Sequence, residues 1–322
     1  MRKLGCLGLI LALAAIAGVF LVVQSWGGAG PLPRNSSVQI AQGSTLTSAA
    51  DDLEKAGVIP SASRFLLFAK IFGGNEPIRA GEYRFPAKIS QADALKLMQG
   101  GRTLQRFVTV PEGWPSVLVH DAVMAAPQLA GKVDVPSEGS VLPDSYSYER
   151  GDTRASLVQR MQAARTRYLD AAWAKRKPTT VARTKQEALI LASIVEKETG
   201  KPSERRTVAA VYSNRLRKGM PLQADPTTIY PITKGRPLGR RILRSELQAK
   251  NGYNTYAMPG LPIGPIANPG RASIDAVLDP APSNALYFVA DGTGGHVFAD
   301  TLEQHNANVQ EWYAIRRARG EM

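Results

Sequence analysis

The sequence predicts an α+β protein with a single N-terminal transmembrane helix, a small α/β unit and a larger, mostly helical part that contains a β-hairpin. One uncharged apolar run stands near the N-terminus. Segments with strand-like alternation and segments with helical periodicity then follow each other, and beyond about residue 103 helical spacing prevails. With 322 residues, 44% of them hydrophobic and 21% charged, the chain has the composition of a globular protein of about two domains.

Residues 4–23 form an uncharged apolar run that is long enough to cross a bilayer as a helix. Arg2 and Lys3 precede it, so the positive-inside rule places the N-terminus in the cytoplasm and the rest of the chain outside. A cleaved signal peptide is the alternative, but its apolar core is usually shorter, so we favour a retained anchor over residues 1–26. Cys6 is the only cysteine and belongs to this run, so the exported part has neither disulfides nor thiol chemistry.

The segment after the anchor predicts a linker and then a small α/β unit. Residues 27–35 are rich in glycine and proline, as linkers are. Residues 36–103 hold no convergent acid, nucleophile or metal cluster. The expected elements are a strand at the start, a helix from Ser44 or Thr45 to Gly57, a helix over 62–72, a strand over 81–85, and a helix between Ser90 and Gly100.

The remaining residues, 104–322, predict helices separated by loops rich in glycine and proline. Residues 219–270 combine many prolines and glycines with polar and aromatic residues, and loops of that length in compact domains are usually functional. The expected elements are a strand and turn over 107–114, helices over 154–175, 184–199, 203–218, 271–278 and 301–318, and a β-hairpin formed by 287–290 and 296–299.

The net charge of +13, from 40 basic and 27 acidic residues, suggests an anionic partner. Nucleic acid is disfavoured, because the chain carries an export anchor and has no aromatic-interleaved basic motif or zinc-finger spacing. Anionic phospholipid or an acidic cell-wall polymer fits better. The alternative for any single basic run is ordinary solvated surface charge.

The stretch LASIVEKETG, residues 191–200, places two glutamates near the end of a predicted helix. At about 100° per residue, Glu196 and Glu198 point about 200° apart. Glu198 falls in the middle of the apolar stripe and Glu196 on the opposite side, so we expect Glu196 to be a solvated surface residue.

A carboxyl group on the apolar face loses hydration, which should raise the pKa of Glu198 towards the range of a general acid. The alternative is a glutamate buried in a salt bridge with one of the arginines. Other chemistry has less support. The three histidines lack metal-ligand spacing, and no GxSxG, Walker or Rossmann fingerprint occurs. Carboxylate chemistry on a polymer outside the membrane is what remains.

Several long motifs resemble one family in their order along nearly the whole chain. They are EGSVLPDSY (138–146), LASIVEKETG (191–200), SNRLRKGMPLQADPTTIY (213–230), YNTYAMPGLPIGPIANPG (253–270) and LYFVADGTGGHVFADTLEQHN (286–306). Together with the anchor and the α/β unit, they resemble the YceG-like endolytic murein transglycosylases.

The resemblance implies a LysM-like module over 36–103 and a lysozyme-like catalytic domain over 104–322. It also implies cleavage of β-1,4 bonds between MurNAc and GlcNAc within peptidoglycan strands, leaving 1,6-anhydro-MurNAc ends. Nascent strands would be the substrate, so that a cut ends elongation. No cofactor and no metal is implied. The expected partners are glycan strands, the membrane and peptidoglycan synthases. The expected location is the inner membrane, with the catalytic domain on the periplasmic side.

The resemblance makes Glu198 the catalytic acid and base, the residue that the helical positions also select. Further candidates for substrate binding come from polar and aromatic groups that suit sugars. For each of them, a structural role in a turn, a helix cap or core packing is the alternative. Glu138 and Asp144 have equal support as cleft residues and as residues that only cap turns. The substrate-binding candidates are Gln223, Asp225, Thr227, Tyr253, Asn254, Tyr256, Asn268 and His296.

Two other functions compete with this interpretation. A hydrolytic muramidase would activate water and needs a second carboxylate, for which Asp225 is the candidate. A non-catalytic wall-binding protein would use only the small α/β unit. The mass of the products distinguishes a hydrolase from a transglycosylase, because an anhydro end is lighter by one water than a reducing end. Digestion of glycan by the purified protein distinguishes an enzyme from a non-catalytic binding protein.

Overall fold

The computed structural model describes residues 2–321, with side chains from residue 10 onward. Helix α1 covers Arg2–Gly27, and its segment Ile10–Gly27 has a mean hydropathy of 2.1 with no residue buried. By length and composition this helix can cross a membrane. The side chains of Arg2, Lys3 and Cys6, on which the expected orientation and the assignment of the cysteine rest, lie outside the described side chains.

The chain divides into two compact units. The first comprises Met1–Arg106 and Ser147–Gly151, and the second comprises Phe107–Tyr146 and Asp152–Met322. Two short strands, β3 (Arg106–Thr109) and β4 (Ser145–Tyr148), contain positions at which the chain passes from one unit to the other.

The first unit combines a two-stranded antiparallel sheet with three helices, as the sequence predicts. Ser36 pairs with Phe85 and Ile40 with Gly81. Apolar residues from every one of these elements share one core, in which Phe65 and Met98 are fully buried. The elements are β1 (Ser36–Ile40), α2 (Leu46–Lys55), α3 (Ala62–Phe72), β2 (Gly81–Phe85) and α4 (Gln91–Gly100).

Side-chain caps start the three helices of this unit. The hydroxyls of Thr45, Ser61 and Ser90 each accept the backbone N–H three residues further on. Helix α4 ends one residue later than expected, because Gly101 rather than Gly100 adopts the left-handed conformation, with φ 65°.

The second unit is mostly helical, and five of its helices and its β-hairpin confirm the sequence prediction. β5 and β6 pair antiparallel, with Tyr287 opposite Ala299 and Ala290 opposite His296. Besides parts of β3 and β4, the elements are α5 (Ser116–Ala125), α6 (Arg154–Ala174), α7 (Lys185–Glu198), α8 (Arg205–Arg217), α9 (Asp225–Thr233), α10 (Arg244–Gln248), α11 (Arg271–Leu278), β5 (Tyr287–Ala290), β6 (His296–Ala299) and α12 (Leu302–Ala318).

Helix α7 is the central helix of this unit. Its eight consecutive residues from Ala188 to Val195 are all buried, and α6, α8, α9 and α11 pack around it. A helix that is covered on every side buries polar residues as well as the apolar stripe. Glu196 and Glu198 near its end are therefore both partly covered by protein, whereas Lys197 between them is exposed.

Three helices were not predicted. Helices α9 and α10 lie within residues 219–270, which were expected to be loop, and α5 was not assigned at all. In α9, Pro226 stands in the first turn, where a missing N–H costs no intrahelical hydrogen bond, but Pro231 lies inside the helix. The local sequence disfavours a helix here, but tertiary packing stabilises it, because Thr227, Thr228 and Tyr230 are buried against the rest of the unit.

Candidate active site

A polar cavity of about 350 Å³ lies in the second unit, at the C-terminal end of α7. Helices α7, α8, α9 and α12 and strand β5 all contribute to it. It is lined by Glu198, Tyr212, Arg215, Leu222, Gln223, Asp225, Tyr256, Phe288 and His305.

Glu198 is the last residue of α7, and its Oε1 atom is buried without a hydrogen-bond partner. The pKa of this carboxyl group is raised from 4.5 to about 7, mainly by burial and also by the charge of Asp225. A hydrogen bond from Tyr212 and the charge of Arg215 act in the opposite direction and lower the pKa. A carboxyl group with this pKa is protonated in a large fraction of molecules near neutral pH. The expected direction of the pKa shift is confirmed. Among the side chains of residues 10–321, none forms a salt bridge with Glu198, so the salt-bridge alternative is wrong.

Helix α8 supplies Tyr212 and Arg215, three residues apart and therefore on the same face. The Tyr212 ring packs edge-on against Phe288, with centroids 5.9 Å apart. The Arg215 guanidinium is fixed by backbone carbonyls: Nε donates to Leu286 O at 2.7 Å and Nη1 to Leu222 O at 2.9 Å. The Glu198 carboxylate thus faces one hydrogen-bond donor and one immobilised positive charge.

His305 reaches the same cavity from α12. Its ring stacks on Tyr287 with centroids 5.2 Å apart, and its buried Nδ1 has no hydrogen-bond partner. Burial and the nearby charge of Arg215 lower the pKa of His305. The imidazole is therefore neutral near pH 7, and it offers the cavity an uncharged polar group.

Three of the predicted substrate-binding residues line this cavity. Asp225 accepts a hydrogen bond from the Tyr256 hydroxyl at 2.6 Å, which orients both side chains. Gln223 is exposed in the left-handed region at φ 52°, and its N–H donates to Thr255 O at 3.1 Å. The structure brings these groups together with Glu198 from three separate segments.

Three other predicted residues, Thr227, Asn254 and Asn268, are fully buried and lie outside the cavity. The Thr227 hydroxyl donates to Ala224 O at 2.7 Å. The amide of Asn254 donates to three backbone carbonyls, and Asn268 accepts from Val141 N at 3.0 Å. Their polar groups are bonded internally, so the structure corrects their expected role: they hold loops in place.

Tyr253 and His296 also lie outside this cavity. Tyr253 packs against Tyr230 with ring centroids 4.8 Å apart. His296 Nδ1 lies 2.8 Å from Glu204 Oε2, and its backbone N–H donates to the same carboxylate. Both side chains follow the structural alternative that the sequence left open for them.

Glu196 is not a surface residue, contrary to expectation. Its side chain is 5% exposed, Oε2 accepts the Gly270 N–H at 2.8 Å, and Oε1 lies 3.6 Å from Arg205 Nη2. The helical positions did place it opposite Glu198, but that opposite side is covered by protein. Glu196 therefore joins the ends of three segments instead of facing water.

Glu138 and Asp144 follow the capping alternative. Glu138 Oε1 accepts the N–H of Ser116, the first residue of α5, at 2.9 Å. Asp144 accepts from Ser145 N at 2.8 Å and pairs with Arg271 at 2.7 Å. Neither residue lines the cavity around Glu198.

The sequence analysis missed Tyr212, Arg215 and His305. A signal was present for the first two, because Tyr212 and Arg215 have the helical spacing that puts a phenol and a guanidinium on one face. His305 is remote in sequence, and no local pattern links it to Glu198.

A second cavity, of about 460 Å³, is lined in part by residues that are next in sequence to residues of the first cavity. Lys197 and Pro226 line it, whereas their neighbours Glu198 and Asp225 line the first cavity. Its wall is mostly apolar and includes Trp114. Among the side chains that the structure describes, those of residues 10–321, no group of three or more histidine, cysteine, aspartate or glutamate residues is arranged to hold a metal ion.

The fold and site define an α+β protein that presents a partly buried, protonatable carboxyl group, that of Glu198, at a helix end inside a polar cavity. The sequence profile of the YceG-like family matches residues 38–311. The chain belongs to this family.

Relatives and a solved structure agree with this assignment. The chain is 28% identical to the endolytic murein transglycosylase of Bacillus subtilis (strain 168), over 94% of this chain and 92% of that protein. It is 29% identical to the endolytic murein transglycosylase of Streptococcus pneumoniae serotype 2, over 94% of this chain but only 63% of that protein. The crystal structure of a yceG-like protein from Listeria monocytogenes aligns with a TM-score of 0.54 and 27% identity, over 85% of this chain and 98% of that one.

Proposed function

We propose that this protein is an endolytic murein transglycosylase that cuts the β-1,4 bond between MurNAc and GlcNAc inside peptidoglycan strands. The observation that carries the proposal is Glu198: a carboxyl group at a helix end, with a pKa of about 7, in a cavity lined by groups that suit sugars. Membership of the YceG-like family and the names of the bacterial relatives support the same activity.

In the first half of the reaction, the protonated Glu198 donates its proton to the glycosidic oxygen. The bond between C1 of MurNAc and that oxygen breaks, and the GlcNAc end leaves as an alcohol. Glu198 becomes a carboxylate, which the Tyr212 hydroxyl and the Arg215 charge stabilise. These two groups therefore favour the state of Glu198 that the second half requires.

In the second half, the C6 hydroxyl of the same MurNAc attacks C1 and closes the 1,6-anhydro ring. Its proton passes to the Glu198 carboxylate, which restores the starting state without consuming water. Because the nucleophile is tethered next to C1, its effective concentration is high, and no second enzymic carboxylate is needed. One glutamate can thus serve both steps.

Sugar binding is assigned to Gln223, Asp225 and Tyr256, which line the cavity beside Glu198. An internal cut requires the strand to extend to both sides of the bond that is cleaved. We assign the second cavity, with Trp114 on its wall, to such an extension, because aromatic faces stack on sugar rings.

The remaining assignments complete the proposal. Helix α1 anchors the protein in the inner membrane with the catalytic domain on the periplasmic side, which its length and apolar composition support. Residues 27–35 connect it to a LysM-like glycan-binding module over 36–103, and residues 104–322 form a lysozyme-like catalytic domain. Peptidoglycan synthases, which make the nascent strands, are the proposed partners.

The test is mass spectrometry of peptidoglycan treated with the purified full-length protein, with Glu198→Gln as control. We expect products with anhydro ends, lighter by one water than hydrolysis products, and a rapid fall in strand length before disaccharides accumulate. Reducing ends would instead establish a hydrolase, in which Asp225 activates water. Release of disaccharides from the start would exclude internal cleavage.

A further inference from the structure

Helix α3 carries apolar side chains on two faces. One face, with Phe65 and Ala69, is buried in the core of the first unit. The other face carries Leu67, Ile71 and Phe72, which are 55%, 60% and 51% exposed. A second, uncovered apolar face on a helix is typical of a surface that contacts a partner outside its own unit.

This exposed face lies beside the point where α1 ends. Trp26, in the last turn of α1, packs on Phe65, Phe68 and Phe72, with ring centroids 5.9, 6.0 and 6.4 Å apart. Tryptophan at the end of an apolar span is typical of the membrane–water interface. The exposed face of α3 therefore continues the apolar surface of α1.

The end of α1 is also fixed to this unit. Gln91 Nε2 donates to Ser25 O at 2.6 Å, and Gly30 N donates to Lys88 O at 3.1 Å. Leu32, in the segment expected to be a linker, is buried in the core. The position of α3 relative to α1 is thus set by packing and hydrogen bonds.

We propose that α3 is an interfacial helix that lies on the outer surface of the membrane that α1 spans, with Leu67, Ile71 and Phe72 inserted at the boundary between headgroups and acyl chains. This surface goes beyond the proposed activity and rests only on α1 being the anchor. The two exposed cations of the helix, Arg64 and Lys70, suit the headgroup region, where long basic side chains extend towards phosphate.

Spin-label accessibility on the full-length protein in nanodiscs tests this surface. Cys6→Ala removes the native thiol, and single cysteines are then introduced by Ile71→Cys, by Ile16→Cys within α1, and by Asp51→Cys on the exposed side of α2. Collision rates with oxygen, which partitions into the bilayer, are compared with those of a water-soluble nickel chelate. We expect the oxygen-to-chelate ratio at position 71 to exceed that at position 51 several-fold and to approach that at position 16.

An aqueous ratio at position 71, with a bilayer ratio at position 16, would overturn the proposal while leaving the anchor intact. An aqueous ratio at both positions would remove the anchor itself. Spin–spin broadening between labels at position 71 would overturn it in favour of contact with a second copy of the chain. Because the same helix carries two exposed cations, discs of phosphatidylcholine with phosphatidylglycerol should give a higher ratio than phosphatidylcholine alone, and the reverse order would contradict the assigned orientation.

Discussion

The Glu196 carboxylate accepts the backbone N–H of Gly270 at 2.8 Å and thereby joins the end of α7 to the residue that precedes α11. The same carboxylate lies 3.6 Å from Arg205 at the start of α8. Glu198, two residues away, has an oxygen that is buried without a partner. Two neighbouring glutamates thus differ in environment: one connects helices, and the other keeps an unpaired oxygen, which the proposed proton transfer requires.

Glu198→Gln and Glu196→Gln should therefore have opposite effects. The glutamine at position 198 can neither donate a proton to the leaving oxygen nor accept one from the C6 hydroxyl, so we expect cleavage to fall by at least about 10²–10⁴-fold. The fold should be retained or become more stable, because a buried carboxyl group is lost. Release of anhydro products and a melting curve measure the two effects.

Glu196→Gln is the matched control. Its amide oxygen can still accept the Gly270 N–H. Arg205 loses the charge of its nearer carboxylate and keeps only Glu112, at 3.9 Å, so we expect a loss of about 1–3 kcal/mol in the free energy of unfolding. Cleavage per folded molecule should change little. An inactive Glu196→Gln together with an active Glu198→Gln would exchange the two roles and refute the assignment of the acid.

The sequence predicted the local elements well, but it predicted the site only in part. Hydroxyl caps such as Thr45 and the apolar periodicity of α7 depend on near neighbours, so they are visible in the sequence. The burial of Glu196 depends on residues 205 and 270, and the contribution of His305 depends on where α12 packs. Such contacts depend on tertiary structure, and the periodicity of a single helix does not predict which distant segments cover it.

Asp225→Asn should move the pH dependence of cleavage. The charge of Asp225 is one of the causes that raise the pKa of Glu198, so its removal lowers that pKa. Activity needs the protonated acid, and the alkaline limb of the kcat/KM profile should shift to lower pH. Asp170→Asn, an exposed site on α6, is the control and should leave the limb in place. Loss of all cleavage at every pH would indicate that Asp225 acts in the chemistry itself.

Tyr212→Phe should shift the same limb in the opposite direction. The Tyr212 hydroxyl stabilises the Glu198 carboxylate by a hydrogen bond, which lowers its pKa, so its loss raises the pKa. The ring contact with Phe288 is conserved in the phenylalanine variant, which limits damage to the fold. The measurement is again kcat/KM against pH, and a limb that moves to lower pH would contradict the hydrogen bond to the ionised form.

The stability of the protein should depend on pH through Glu198. Its carboxyl group ionises at 4.5 when unperturbed and at about 7 in the folded chain, so the folded state binds the extra proton between these values. The stabilisation from this group is complete below pH 4.5 and is lost as pH rises through about 7, to a total of at most about 3 kcal/mol.

The Glu198→Gln variant tests this expectation, because its side chain cannot titrate. The free energy of unfolding of the variant minus that of the wild type should therefore increase from pH 4.5 to about 7. Above pH 7 this difference should be constant. Denaturant unfolding of both proteins at each pH measures that difference, in which the other titrating groups cancel. A difference that is independent of pH would show that Glu198 is as well hydrated in the folded chain as in the unfolded one, and that its proton is not held by burial.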